Sequence, residues 1–197
     1  MGFITTSFPQ FPQFTVFISL FTNIKTETSA TIKSELIGAN KDYDFCFLNT
    51  NHIISLEQLY ASIHRSILNQ SNELMKAKTL NTEIIFNLSS VNNIMDALKR
   101  FGVDESCPNL IVIKVLKTDE IESDTLKELN QHLLKLLDVD ESHNIELNDE
   151  ILFSKLASVQ KTKKLYKLND ATYSGNESEL QAELTRLIIG ATLLRGF

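Results

Sequence analysis

Apolar positions along this chain alternate between strand-like runs and helical stripes. Residues 14–21 are apolar except for Thr15 and Ser19. They follow Phe8-Pro9-Gln10-Phe11-Pro12, where the prolines favour extended backbone, so a strand is predicted there. Residues 26–37 mix Ser, Thr, Lys and Glu with spaced apolar positions and run into Gly38, which reads as a helix and its stop. A short strand is expected over 42–48. Next comes the clearest helical signal: Ser55 with Gln58 three residues on suggests a capping box, and Leu56, Leu59, Tyr60, Ile63 and Ile67 share one face.

Residues 83–88 read as a strand. Asn92 then suggests a helix cap, with Ile94, Ala97, Leu98 and Phe101 as the buried stripe and Gly102 as the end. The β-branched run at 110–116 has the character of a strand covered on both faces, which implies helices packed on a sheet. Residues 125–137 are helical, 138–148 polar and looped, and 180–194 a closing helix. The alternation, without internal repeats, predicts an α/β or α+β fold: one domain over residues 1–197, a sheet sandwiched by helices, with an apolar C-terminal helix.

That last helix carries more apolar surface than one packing face needs. Leu187, Ile188, Ala191 and Leu194 make one stripe, and Ile189 and Leu193 project from the other side. A second stripe on a terminal helix calls for another surface to cover it, and a protein partner is the expected occupant.

Composition adds exclusions. At 197 residues with 43% hydrophobic and 22% charged residues, the chain is an ordinary folded protein. Cys46 and Cys107 stand far apart, with neither metal-ligand nor disulfide-framework spacing, and read as buried thiols. The early apolar stretch lacks the basic start of a signal peptide. No segment has the roughly 20 apolar residues of a spanning helix, so a soluble, reducing compartment and no membrane association are expected. Met1-Gly2 with Thr6 matches only a loose acylation pattern.

The net charge of −6 is unevenly spread. Residues 119–150 hold eleven Asp and Glu against Lys127 and Lys135, whereas residues 151–168 hold Lys155, Lys161, Lys163, Lys164 and Lys167 with no acid. A solvated helix face is the ordinary reading of those lysines. A locally basic surface nevertheless remains open to an acidic protein, because fields decay over a Debye length of about 8 Å.

Signals for chemistry are sparse. The six glycines form neither a P-loop nor a dinucleotide loop, the four histidines form no local ligand pair, and no nucleophile elbow occurs. His64 at the edge of its helix's apolar stripe reads as a hydrogen-bonded, partly buried side chain. Neither a cofactor nor a metal is expected, and the chain is not read as an enzyme. One candidate nucleic-acid locus combines Met75-Lys76-Ala77-Lys78 with the helix start at Asn92-Asn93, since helix N-termini present unpaired amides that suit phosphate; Arg100 lies two turns on.

These segments, Glu57-Gln58-Leu59-Tyr60, Met75-Lys76-Ala77-Lys78 and Asn92-Asn93-Ile94-Met95-Asp96, occur in order between Pro9-Gln10-Phe11-Pro12 and Leu194-Arg195-Gly196. Together they resemble the small kinase-binding subunit of the KEOPS (EKC) complex, the fungal Cgi-type and PRPK-binding-protein family, over nearly the whole chain. The acidic 138–148 stretch is longer than that resemblance leads one to expect. The resemblance implies a non-enzymatic subunit of the nucleus and cytoplasm. It would bind the complex's kinase-like ATPase subunit directly, the other subunits through that kinase, and the single-stranded 3′ CCA end of tRNA, in support of threonylcarbamoyl-adenosine formation on ANN-decoding tRNAs. A scaffold that activates the kinase-like subunit without touching RNA is the alternative.

On that resemblance Lys78 is a candidate phosphate contact, Asn93 a hydrogen-bond partner for base or sugar, and Ile94 an apolar surface under a base, with Lys76 and Arg100 alongside. Ile189, Leu193 and Arg186 are the candidate partner-binding residues.

Overall fold

The computed structural model describes residues 2–170 and 175–195. Gly196, part of the closing motif quoted above, lies outside the described residues. The chain forms two compact units, one of Met1–Asn49 and Val103–Leu147, the other of Thr50–Gly102 and Asn148–Phe197.

The first unit is a sheet with helices. Strands β1 (Phe3–Phe8), β2 (Phe11–Phe21), β3 (Cys46–Asn49) and β4 (Leu110–Lys117) lie in the order β1-β2-β4-β3, and the short β5 (Asn144–Ile145) also pairs with β2. Every pairing is antiparallel. The prolines behave as punctuation: Pro9-Gln10 turns the chain between Phe8 and Phe11, which pair directly, so the extended start holds a whole hairpin strand that the periodicity did not resolve.

Alternation along β2 assigns its faces. Phe17 and Phe21 join Phe47, Leu110 and Val112 in a core closed by Ile32 of α1 (Thr26–Ile37) and by Leu133, Leu134 and Leu137 at α5 (Thr125–Leu136). Val16, Ile18, Leu20, Cys46, Leu48, Ile111 and Ile113 on the opposite face are wholly buried as well. The β-branched run of β4 thus has the two-sided burial its sequence suggested. Both cysteines are free and buried, and burial pushes the Cys46 thiol up.

The second unit is helical: α2 (Leu56–Ser71), α3 (Leu80–Leu88), α4 (Ile94–Phe101), α6 (Val159–Leu165) and α7 (Glu177–Leu193), with a π-turn at Ile151–Leu156. Leu59, Ile63 and Ile67 of α2 are buried as their spacing predicts. Three local expectations are corrected. Residues 83–88 are helical, because Thr79 caps α3 by accepting the Thr82 N–H at 3.2 Å and all six residues are buried, which gives a contiguous apolar run no visible period.

The strand expected over 42–48 begins only at Cys46, since Asn40 caps a 3₁₀ turn at Lys41–Tyr43. The capping box at Ser55 is half formed. Ser55 Oγ accepts the Gln58 N–H, but the Gln58 side chain accepts from Ile54 N and donates to the His52 carbonyl and Tyr166 Oη. A reciprocal box opens α7 instead, between Asn176 and Glu179 at 3.0 and 3.1 Å.

A candidate nucleic-acid and partner interface

α3 organises the second unit. Its Glu83 is fully buried and holds the preceding loop from below: Oε2 accepts the backbone N–H groups of Lys76 and Ala77 at 3.0 and 2.8 Å, and Oε1 accepts Asn69 Nδ2 at 2.8 Å. This clamp fixes the backbone of the 75–78 loop and leaves the Lys76 and Lys78 side chains exposed. One residue later Thr79 starts α3, so Lys78 adjoins that helix's N-terminus.

At the other end of α3 sits the tail of α7. Arg195 donates to the carbonyls of Phe86 and Ser89 and, at 2.9 Å, to Asn87 Oδ1, and its guanidinium lies 3.7 Å from the centroid of the Phe86 ring. Burial, then the nearby charge of Arg65, pushes this guanidinium down to about 10, still far above neutrality, so its charge is retained. Arg65 in turn donates to the Thr192 carbonyl at 3.2 Å, satisfying a last-turn acceptor of α7.

Asn87 links the two ends. Its amide donates to Ser66 Oγ at 2.9 Å and, more weakly, to Glu83 at 3.5 Å, while its oxygen takes Arg195. The candidate RNA residues lie on either side of α3 in the chain. α3 spans about 13 Å, with Lys76 and Lys78 before it and Asn93 and Ile94 after it.

Asn93 caps α4 by accepting the Asp96 N–H at 3.0 Å, the role expected of Asn92. Ile94 is half-buried, whereas Met95 beside it is 73% exposed. Arg100 is exposed and donates from Nε to Asp96 at 2.6 Å.

The partner residues of α7 lie on different parts of its surface. Leu184, Thr185, Ile188 and Thr192 face inward, Ile189 is half-buried, Leu193 is 50% exposed, and Arg186 is exposed and pairs with Glu183 at 3.6 Å. Leu194, assigned from periodicity to the inward stripe, is 68% exposed because the helix ends at Leu193 and the chain leaves its period. Val91, 43% exposed, stands at the turn that Arg195 holds through Ser89, whose Oγ accepts the Val91 N–H. Exposed large apolar side chains thus stand at the end of α7 (Leu193, Leu194), in the turn after α3 (Val91) and at the start of α4 (Met95). Sequence reading found only Leu193 of these, since the other three depend on how α7 ends and how the 89–93 turn is held.

His52 lies between α4 and α6. Its Nδ1 is 3.3 Å from Thr162 Oγ1 and its ring meets Phe101 edge-on at 5.9 Å. Burial first, then the charges of Arg100 and Lys161, hold its pKa below the ordinary histidine value. The unfolded chain takes up this proton near pH 6.5 and the folded chain only at lower pH, so stability falls as pH drops from about 6.5 toward the depressed value. Urea midpoints at pH 7.5 and 5.5 are expected to differ less in His52→Asn than in the wild type; equal differences would remove His52 as the cause.

Other features offer little chemistry. No group of three or more His, Cys, Asp or Glu among the described residues is placed to hold a metal. The first unit's depression of about 450 Å³ includes Asn130 and Asn144, which hydrogen-bond each other and Ser19 and so serve the fold. No helix of the described residues is long and apolar enough to cross a membrane.

A mixed α/β chain with exposed apolar side chains at the end of α7 and a clamped lysine loop presents surfaces suited to binding. The family model of kinase binding protein CGI-121 matches residues 21–196. The chain is 63% identical to the EKC/KEOPS complex subunit CGI121 of Debaryomyces hansenii over 187 residues, 95% of each chain. It is 46% identical to that of Candida albicans over 196 residues, covering 96% of this chain and 97% of the relative. The subunit of Schizosaccharomyces pombe is 30% identical, covering 96% and 98%. The chain belongs to the CGI-121 family. These descriptions are of a kinase-binding protein and of complex subunits, and the non-enzymatic, accessory reading of the sequence stands with them.

Proposed function

We propose that this chain is a subunit of an EKC/KEOPS-type complex that docks the kinase-like ATPase subunit and captures the single-stranded 3′ CCA end of tRNA. In doing so it supports threonylcarbamoyl-adenosine formation on ANN-decoding tRNAs in nucleus and cytoplasm. The observation that carries the docking half is the exposure of Leu193 and Leu194 at an α7 tail that Arg195 ties to the end of α3, with Val91 and Met95 exposed on the segments that follow α3. It supports a protein contact because apolar side chains this exposed are what a partner's surface desolvates.

The RNA half rests on family membership together with the exposed cations Lys76, Lys78 and Arg100, the Asn93 cap and the Met95–Ile94 surface, a set suited to a few phosphates and unstacked bases. The net charge of −6 favours the rival in which the chain is a scaffold alone.

Titration with tRNA at several salt concentrations separates the two. Capture of the 3′ end predicts binding that is lost when the CCA is trimmed, and a Lys78→Ala variant whose salt slope is shallower by about one. Equal binding to trimmed tRNA, or an unchanged slope, leaves the scaffold reading in place.

A further inference from the structure

Charge on this chain segregates between its two units. The first holds seven Lys and Arg against fifteen Asp and Glu, the second twelve against ten. In the second unit several acids are already engaged: Glu83 by backbone amides, Asp96 by Arg100, Glu179 by its capping box and Glu183 by Arg186. Four cations of 151–168 are not paired in this way. Lys155, Lys161, Lys164 and Lys167 are exposed, and none forms an ion pair among the described residues.

The packing of α6 brings two of them together. Thr162 and Tyr166 turn inward, 1% and 4% exposed, so Lys161 and Lys164, three residues apart, share the outward face. His52 joins this surface to α4, touching Thr162 on one side and Phe101 on the other, the neighbours of Lys161 and Arg100. α4 spans about 12 Å, so the cations begin one short helix away from Asn93 and Ile94.

What the surface lacks narrows its ligand. None of the exposed large apolar residues falls between 148 and 170 among the described residues, and Tyr166 is buried with its hydroxyl donated to the Leu88 carbonyl at 2.6 Å. Unpaired bases need a ring or apolar platform to stack on, and a membrane-surface helix needs apolar side chains to insert. Cations without either suit phosphates presented in regular array, as along a double-stranded backbone.

We propose that Lys155, Lys161, Lys164 and Lys167, with Arg100, form a second phosphate site that takes the backbone of duplex RNA adjoining a single-stranded 3′ end held near Asn93 and Ile94. The site rests on the RNA reading above and extends it from the end of the molecule to its paired stem.

The test uses the full chain and three labelled RNAs: a hairpin with a short single-stranded 3′ overhang, the same hairpin blunt, and the single strand alone. For Lys161→Gln/Lys164→Gln, affinity for the overhang hairpin should fall about 10-fold and its salt slope by about two, while the single strand changes less than about 2-fold. Both side chains are exposed, so an unchanged urea midpoint is expected.

Unchanged hairpin binding, or equal loss on the single strand, overturns the second site. So does transfer of the binding to phosphatidylserine vesicles with no hairpin bound. Wild-type binding of the blunt hairpin but not the single strand keeps this site and removes the 3′-end reading. Lys78-dependent binding of the single strand with no gain from the hairpin removes this site and keeps that reading. Failure to bind any RNA overturns both.

Discussion

Replacing Glu83 by alanine should destabilise the second unit by about 3–5 kcal/mol, among the largest effects of any single substitution of a polar residue in this chain. The carboxylate is wholly buried and serves the Lys76 and Ala77 N–H groups, the Asn69 amide and, at longer range, the Asn87 amide. Alanine leaves those donors without their acceptor in a space that a water could refill only in part. It also removes a negative charge that favours the charged form of the partly buried Arg195 guanidinium, which raises the cost of keeping that cation in place.

Glu83→Gln should cost about half as much, because Asn69 can turn its amide over and restore one bond while the Lys76 and Ala77 amides keep a carbonyl acceptor. Urea unfolding of the two variants reads the difference. A loss below about 1 kcal/mol for Glu83→Ala would mean that the loop reorganises onto water and that the clamp does not set its conformation.

Glu83 also shows where sequence reading ends. Amphipathic elements were legible because one face is apolar and the other is not: α1 occupies the predicted 26–37, α2 buries Leu59, Ile63 and Ile67, and β4 and α5 fall within a residue or so of their predicted limits. α3 has no such contrast. Its Ile84-Ile85-Phe86 run is buried all round, and a charged residue at the start of an apparent strand gives no hint that it will be buried and bonded to amides six and seven residues behind it.

The missed elements share a cause. β1, β5, α6 and the π-turn are short, and their placement depends on tertiary bonds such as Asn144 to Gly2 and Thr162 to the Asn51 carbonyl. The uneven spread of charge along the chain, by contrast, was plain in the sequence, since counting needs no fold. What it lacked was the knowledge that Lys155, Lys161, Lys164 and Lys167 form no ion pair among the described residues, which only packing decides.

Leu193→Asp/Leu194→Asp should weaken association with the kinase-like subunit by at least about 100-fold, some 2.7 kcal/mol, with little effect on folding. Both side chains are half or more exposed, so the carboxylates stay in water in the free chain and are desolvated only against a partner. Ile189 is the weaker choice for such a test despite its place on the predicted second stripe: it is half-buried, and a charge there would strain the helix's own packing.

Arg195 sharpens the expectation. By tying the end of α7 to the carbonyls of Phe86 and Ser89 it fixes the backbone that carries Leu193 and Leu194, so little ordering entropy opposes binding. Arg195→Leu should therefore weaken the same association less than the double variant does, through preorganisation alone. Ile37→Asp, at an 87% exposed position of the first unit, should leave it unchanged and serves as the control for added charge. Calorimetry on the purified pair distinguishes the outcomes: undiminished binding by the double aspartate variant would move the docking surface away from α7, and equal loss in Ile37→Asp would reduce the effect to net charge.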